Sequence, residues 1–391
     1  MPDPGVPRSV VVVGTGVAGA TAALTLRTEG YDGRITLIGD EPHQPYRRPP
    51  LSKDVLTGGS APERIRLRPP AAWRDQDIEL LTGTSVTGFD ASHVTLADGS
   101  RLGYDRLLLA TGGRPRVLPH AAGIAGVHTL RTLDDAQALR ADLEAAESLL
   151  VIGAGLVGLE VAASAHALGR EVTVLEAADR PLERVLPTVL ADAVTRLHGS
   201  RGIAIHTGVR LNALTRKGDT LVAEAADGGR WSAQVVLVAI GNEPQTRLAE
   251  EAGLQVSDGI VVDASGATSA PDVFAAGDVA RYPDPLHGGS HRGEHWNHAQ
   301  RHGAAVARAM LGHDAPYTEV PWCWTDQHQI TLQMIGRPPE SADLLVDGDP
   351  DGFDFTAVAH RDGTPVAAFA AGRPGDFRRL REGIGRLPAP S

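Results

Sequence analysis

Residues 9 to 19, SVVVVGTGVAG, and residues 149 to 158, LLVIGAGLVG, are two copies of one device. In each, an apolar β-branched run leads into glycines spaced GxGxxG: Gly14, Gly16 and Gly19, then Gly153, Gly155 and Gly158. The first glycine permits a tight turn, the second lets the backbone approach a pyrophosphate, and the third lets helix pack closely on strand. Ala- and Leu-rich helical patterns follow, from Ala20 to about Arg27 and from Leu159 to Leu168. Each second strand then ends in acid: RITLIGDE in Asp40 and Glu41, EVTVLE in Glu176. Such an acid binds ribose hydroxyls, while the pyrophosphate rests on free helix N–H groups. One GxGxxG is weak; two in full strand–turn–helix–strand–acid context are strong. The reading is an α/β chain with two Rossmann-like units and two bound dinucleotides.

At 391 residues the chain is long enough for two or three domains, and 42% apolar content gives them real cores. It has one cysteine, Cys323, which excludes an intramolecular disulfide framework, an iron–sulfur cluster of its own and a CxxC centre. A net charge of −11 argues against nucleic acid as a general partner. Met1 to Ser9 lacks the apolar core of a signal peptide, and no apolar run reaches the length of a membrane span. The expectation is a soluble, cytoplasmic protein. Arginines nevertheless gather at Arg47, Arg48, Arg64, Arg66, Arg68 and Arg74, and again at Arg378, Arg379, Arg381 and Arg386. Two readings stay open: steering of an acidic partner, or a solvated charged face.

Three further segments carry chemistry. In RRPPLSKD (47 to 54), Pro49 and Pro50 fix φ and lack donors, so the reading is a stiff loop, neither helix nor central strand, that aims Arg48 and Lys53. LLLATGGRPR is a buried strand ending in Thr111 and Gly112. TSAPDVFAAGDVA is a strand ending in Gly277 and Asp278, followed by a helix start. This last segment resembles the one by which two-dinucleotide flavoenzymes hold the FAD ribityl chain and pyrophosphate. The plainer role for Asp278 is a turn former or helix cap.

Taken together, VVVGTGVAG, PYRRPPLSK, YDRLLLATGGRPR, LRTLDDA, VIGAGLVGLEVAA, LEAADRPLERVLP, DVFAAGDVA, EHWNHA and PWCWTDQ resemble the FAD-dependent ferredoxin reductases of cytochrome P450 and Rieske-type oxygenase systems, with their rubredoxin reductase relatives. The resemblance spans about residues 8 to 340; the final fifty residues fit less well. It implies a glutathione-reductase-like architecture. A split FAD domain (1 to 112 and 246 to 316) encloses an NAD domain (113 to 245), and a small β-rich α+β domain follows (317 to 391). Local sequence agrees for HRDGTPVAAF, which reads as a hairpin turning at Asp362 and Gly363.

The resemblance places Lys53 close to the flavin and pairs it with Glu160. A cation there stabilises reduced flavin, and its carboxylate partner limits the cost of burial. A plain interdomain salt bridge is the equal alternative. Arg48 is implied to reach the FAD pyrophosphate and Arg131 another part of the cofactor, while Arg47 stands where the family has Asp. Glu176 favours NADH by accepting from its 2′-hydroxyl, while an arginine after the acid, here Arg180 or Arg184, can accommodate NADPH. Gly241 of VAIGNEP is implied beside the nicotinamide, and Glu294 of GEHW on its carboxamide.

Trp324 matches the tryptophan that the family sets against the flavin near the docking surface; Trp322 and Trp296 lie in neighbouring motifs. Cys323 replaces the usual Phe and reads as a small buried apolar residue rather than a redox thiol. His287, His291, His295, His298 and His302 suggest a metal site by spacing alone, but no carboxylate or thiol completes one. The resemblance implies that hydride passes from nicotinamide to flavin, and single electrons then to an acidic ferredoxin. The expected state is a monomer or a homodimer. The competing functions are an NADH oxidase-like flavoenzyme and an apoptosis-inducing-factor-like interaction protein.

Overall fold

The computed structural model describes residues 7–284, 288–314, 316–338 and 342–384; His287 and Arg386 lie outside them. The β-branched run Ser9–Val13 is the centre of a five-stranded parallel sheet. Arg34–Ile38 and then Ile78–Leu81 flank it on one side, Arg106–Leu109 and then Val273–Ala275 on the other. Continuous apolar strands suit a sheet covered on both faces. On one face, helix Val17–Thr28 packs against helix Trp296–Ala309. Their approach is close because Gly303 has no side chain: a Cβ there would lie 2.2 Å from the Ala18 carbonyl oxygen.

The second sheet repeats this plan. Ser148–Ile152 is central, with Glu171–Leu175 and Ala204–His206 on one side and Val235–Val238 and Val127–His128 on the other, all parallel. Each unit carries a three-stranded antiparallel insertion: Val86–Phe89, His93–Leu96 and Arg101–Gly103 in the first, Leu211–Lys217, Thr220–Ala225 and Arg230–Ala233 in the second. The chain passes from the first unit to the second through Gly113–Pro115 and returns through Asn242–Pro244, and these two segments pair with each other.

The C-terminal sheet is antiparallel, in the order Trp322–Gln327, Ile330–Gly336, Thr364–Ala371, Asp354–Arg361, Asp343–Asp349. The hairpin read at 360 to 369 is present. Asp362 and Gly363 both take positive φ, 52° and 76°, as a two-residue turn between twisted strands requires. This sheet does not have a core of its own on both faces. Leu332, Met334, Phe355 and Phe369 share one buried cluster with Leu149, Val151, Val161 and Leu190 of the second Rossmann unit. Phe369 is fully buried there, and burying such a side chain contributes about 2–3 kcal/mol.

Three sequence expectations change. The segment Pro49–Ser52 is a 3-10 turn, followed by the short helix Asp54–Thr57. Prolines stand at its first two positions, where the missing N–H groups would have had no partner. After Val273–Ala275 comes only a 3-10 turn, Gly277–Val279, and the chain continues as strand Ala280–Pro283 paired with Ser290–Arg292. The helices after the glycines begin at Val17 and Leu156, earlier than read, so Gly19 and Gly158 lie inside their first turns.

Candidate active site

The two glycine turns have the geometry that their spacing calls for. Gly14 sits at φ +116°, and a Cβ on it would lie 2.1 Å from the Ala110 carbonyl oxygen. A Cβ on Gly19 would lie 2.0 Å from the Gly14 carbonyl oxygen, whereas Gly16 faces open space. Gly153, Gly158 and Gly155 repeat this pattern. In both turns, close packing occupies the first and third glycines, and the second leaves its side clear for a ligand.

Around the first turn the polar residues interlock. Arg48 donates to Glu41 at 2.7 Å and to the Arg131 carbonyl at 2.8 Å. Tyr46 donates its hydroxyl proton to Glu41 and accepts from the Leu133 amide. Thr132 and Asp135 form a capping box at the start of helix Leu133–Ala145, which fixes the backbone from which Arg131 projects. The Arg131 guanidinium meets Asp278 at 2.8 Å, with side chains 19% and 11% exposed. Its Nε is buried without an acceptor, next to Gly112, whose Cβ would lie 3.4 Å from Arg131 Nη2. Asp40 is exposed and lines a cavity of about 670 Å³ together with Gly14, Thr84, Ser85 and Thr111. A clear glycine edge, a cavity and an unpartnered guanidinium N–H fit the ADP half and pyrophosphate of FAD. His302 Nδ1 accepts from the Gly277 amide at 3.3 Å and so braces the segment that carries Asp278.

Around the second turn the arrangement is simpler. Glu176 accepts from the Ala154 amide at 2.6 Å and the Ala178 amide at 2.8 Å, so its carboxylate is fixed at the mouth of the turn. Arg180 pairs with Asp192 at 3.2 Å, and Arg184 is exposed. Gly241 takes φ +100° with open space beside it. Glu294 is held by Arg292 at 2.5 Å. The clear edge at Gly155 and the anchored Glu176 suit a nicotinamide dinucleotide.

Lys53 Nζ lies 2.7 Å from Glu160 Oε2, with side chains 18% and 7% exposed. The opening of helix Leu156–Ala167 sets Glu160 below the 3-10 turn that carries Lys53. Two residues beyond the sequence reading complete the site: Ser52 donates to Glu160 Oε2 at 2.5 Å and Thr325 to Glu160 Oε1 at 2.7 Å. Both stand in motifs already singled out, PPLSK and PWCWTDQ, but their hydroxyls carry no signal until the fold aims them.

Strand Trp322–Gln327 alternates strictly. Cys323, Thr325 and Gln327 are buried, and Trp322, Trp324 and Asp326 point the other way. Trp324 donates its indole N–H to Asp326, lies edge-on to Trp296 with centroids 6.4 Å apart, and is 5.9 Å from Trp322. Arg381 lies over Trp322. Cys323 is in the shared core, where burial, with nearby Glu160 adding to it, pushes its thiol up to about 12. It behaves as a small apolar residue. His298 and His302 share a buried helix face and pack with Tyr282 and Tyr317. Among the described residues no group of three or more His, Cys, Asp or Glu has metal-binding geometry.

Residues 8–303 match the family model described as pyridine nucleotide-disulphide oxidoreductase, and residues 322–390 match the one described as reductase C-terminal. The chain belongs to the pyridine nucleotide-disulphide oxidoreductase family. Within this oxidoreductase family it is 39% identical to the putidaredoxin reductase of Pseudomonas putida, over 97% of this chain and 92% of that one. It is 41% identical to the ferredoxin–NAD(+) reductase component of the p-cumate 2,3-dioxygenase system of Pseudomonas putida, over 89% and 85%. The structure of putidaredoxin reductase in covalent complex with putidaredoxin superposes with a TM-score of 0.93 at 38% identity, covering 98% of this chain and 94% of that one. The likeness reaches residue 390, further than the motifs alone indicated. Unlike the disulphide in the family's name, this oxidoreductase has a single cysteine, so its electrons leave by another route. Among the described residues no helix is long and apolar enough to cross a membrane.

Proposed function

We propose that this oxidoreductase passes electrons from NADH, through bound FAD, to a ferredoxin serving an oxygenase system. The single observation that carries this is the partly buried Lys53–Glu160 pair, which joins the proline turn of the first unit to the glycine-turn helix of the second. Likeness to ferredoxin reductases over nearly the whole chain supports it.

Residues 1–112 with 246–316 would hold FAD, 113–245 NADH, and 317–391 would complete the docking face. Gly14, Gly16 and Gly19 receive the FAD pyrophosphate, with Arg131 and Arg48 as its cations. Asp278 and Thr111 orient the ribityl side. Bound FAD supplies a two-electron acceptor that also donates single electrons to an iron–sulfur partner. Lys53 places positive charge where reduction develops negative charge, and Glu160 keeps that ammonium in place. Removing either partner would leave a buried charge uncompensated. Gly153, Gly155, Gly158 and Glu176 bind NADH, and Glu176 disfavours a 2′-phosphate by like charge. Gly241 gives the nicotinamide an open wall. Trp324 and Trp296 exclude water from the ring face.

The test is stopped-flow reduction of the purified protein by NADH and by NADPH, followed by cytochrome c reduction with and without a [2Fe–2S] ferredoxin. Fast reduction by NADH and ferredoxin-dependent turnover are expected. Purification without flavin, or equal cytochrome c turnover with no ferredoxin, would overturn the proposal.

A further inference from the structure

Buried polar side chains from three elements form one continuous line behind Glu160. Thr325 Oγ1 lies 2.7 Å from Glu160 Oε1, and Gln327 Nε2 lies 3.0 Å from Thr325 Oγ1. His198 Nε2 is 2.8 Å from Gln327 Oε1, and His328 Nε2 is 3.3 Å from His198 Nδ1. Glu160, Thr325, Gln327 and His198 are all buried. Glu160 belongs to helix Leu156–Ala167, His198 to helix Thr188–Ser200, and Thr325 and Gln327 to strand Trp322–Gln327.

The direction of every bond follows from one end. A carboxylate only accepts, and Glu160 is already held by the Lys53 ammonium and the Ser52 hydroxyl. Thr325 must therefore donate its single proton to Glu160. Its oxygen is then left to accept, so Gln327 presents its NH₂ group. That orientation turns Gln327 Oε1 toward His198, whose Nε2 must carry the proton. A neutral imidazole protonated at Nε2 has a bare Nδ1, which accepts from His328. Burial lowers the proton affinity of His198, against the opposing bond to Gln327, and keeps the neutral form that the line needs. All donors point toward Glu160, and bonds aligned this way strengthen one another.

We infer that His198 and Gln327 are positioning residues for the Lys53–Glu160 pair, acting through Thr325 across the junction of the second Rossmann unit with the C-terminal sheet. The inference rests on the reading of Lys53 as the flavin-side cation. If Gln327 flipped, Thr325 would turn its proton to the amide oxygen, and Glu160 Oε1 would lose its donor. Glu160 would then be anchored by Oε2 alone, free to rotate about its terminal torsion and take the Lys53 ammonium with it. The two Rossmann units alone therefore do not set the position of the cation; a residue pair on the far side of Glu160 completes it.

Two measurements test this on the full-length purified protein. Long-range ¹H–¹⁵N correlation with ¹⁵N-labelled histidine reads the His198 tautomer directly, with the signal assigned by its loss in His198→Gln. A proton on Nε2 alone is expected; a proton on Nδ1, or on both nitrogens, overturns the line whatever the enzyme does. The second measurement is stopped-flow reduction together with the flavin midpoint potential. His198→Leu should slow flavin reduction roughly tenfold, the equivalent of about one hydrogen bond, with NADH affinity unchanged and the potential lowered. His198→Gln, which still donates, should restore most of the rate. Gln327→Leu, which cannot donate to Thr325, should slow reduction as His198→Leu does. Parental rates and potential in folded, flavin-loaded His198→Leu and Gln327→Leu would overturn the positioning role. If the parent protein is not reduced by NADH at all, the functional reading fails, and the tautomer still decides the line separately.

Discussion

The two glycine turns share a backbone and differ in almost everything attached to it. The first is enclosed: Glu41, Tyr46, Arg48, Arg131 and Asp278 link to one another across three separate segments. The second has one anchored acid, Glu176, held by backbone amides, while Val157 and Arg184 beside it stay open to solvent. A site closed by its own side chains suits a cofactor that stays, and a site with an open rim suits one that exchanges every turnover. The fold supplies the same phosphate cradle twice, and the side chains around it decide residence time.

The sharpest way to break this comparison is to block each turn in the same way. Gly14→Ala cannot fit, since its Cβ would meet the Ala110 carbonyl at 2.1 Å. It should yield protein with little flavin, read from the ratio of 450 nm to 280 nm absorbance. Gly153→Ala should keep its flavin but lose reduction by NADH, by roughly a hundredfold or more. Equal flavin loss in both would show that the turns are not independent. Next in size is Asp278→Ala, which strands the Arg131 guanidinium at 19% exposure. It should destabilise the holoprotein by about 2–3 kcal/mol in urea unfolding and speed flavin dissociation. Unchanged flavin dissociation would reduce Asp278 to a structural role.

Lys53→Ala should retain flavin and slow its reduction about tenfold in stopped flow. An unchanged rate and potential would leave Lys53 as a bridge between units. Glu176→Gln tests the open site: KM for NADH should rise several-fold, with a smaller change for NADPH. The last test is that of pH on the enclosed site. Burial, with His291 adding to it, pushes the His302 imidazole down to about 3. The unfolded chain, near 6.5, then binds the extra proton first, so stability is fully present above pH 6.5 and falls as pH drops toward 3. From pH 7.5 to 5.5 this one group should cost about 1.4 kcal/mol. A chemical-denaturation series in which His302→Leu shows the same slope as the parent would exclude it.

What was legible in the sequence is what backbone geometry demands locally. Gly14 and Gly153 must take positive φ, and Asp362-Gly363 must turn a hairpin, whatever else the chain does. The Lys53–Glu160 pair came from likeness to a family, since nothing in either segment points to the other. Ser52, Thr325, Gln327 and His198 were illegible because their roles depend on which face of which strand meets which helix. Single hydroxyls, amides and imidazoles occur everywhere on a chain. The short proline turn at 49 to 52 was misread for a related reason: its prolines exclude a helix interior but are accepted at a helix start.

The first sheet has a consequence for synthesis. Its strand Val273–Ala275 pairs with Arg106–Leu109, although an entire second unit lies between them in the chain. While the ribosome is still building that second unit, the emerging first unit has an unpaired edge and lacks Asp278. The second unit, continuous from Val127 to Val238, has all its strands available earlier. Order of completion thus runs opposite to order of emergence: the second unit is ready to fold while the first waits, its edge exposed, for residues delivered some 165 positions later.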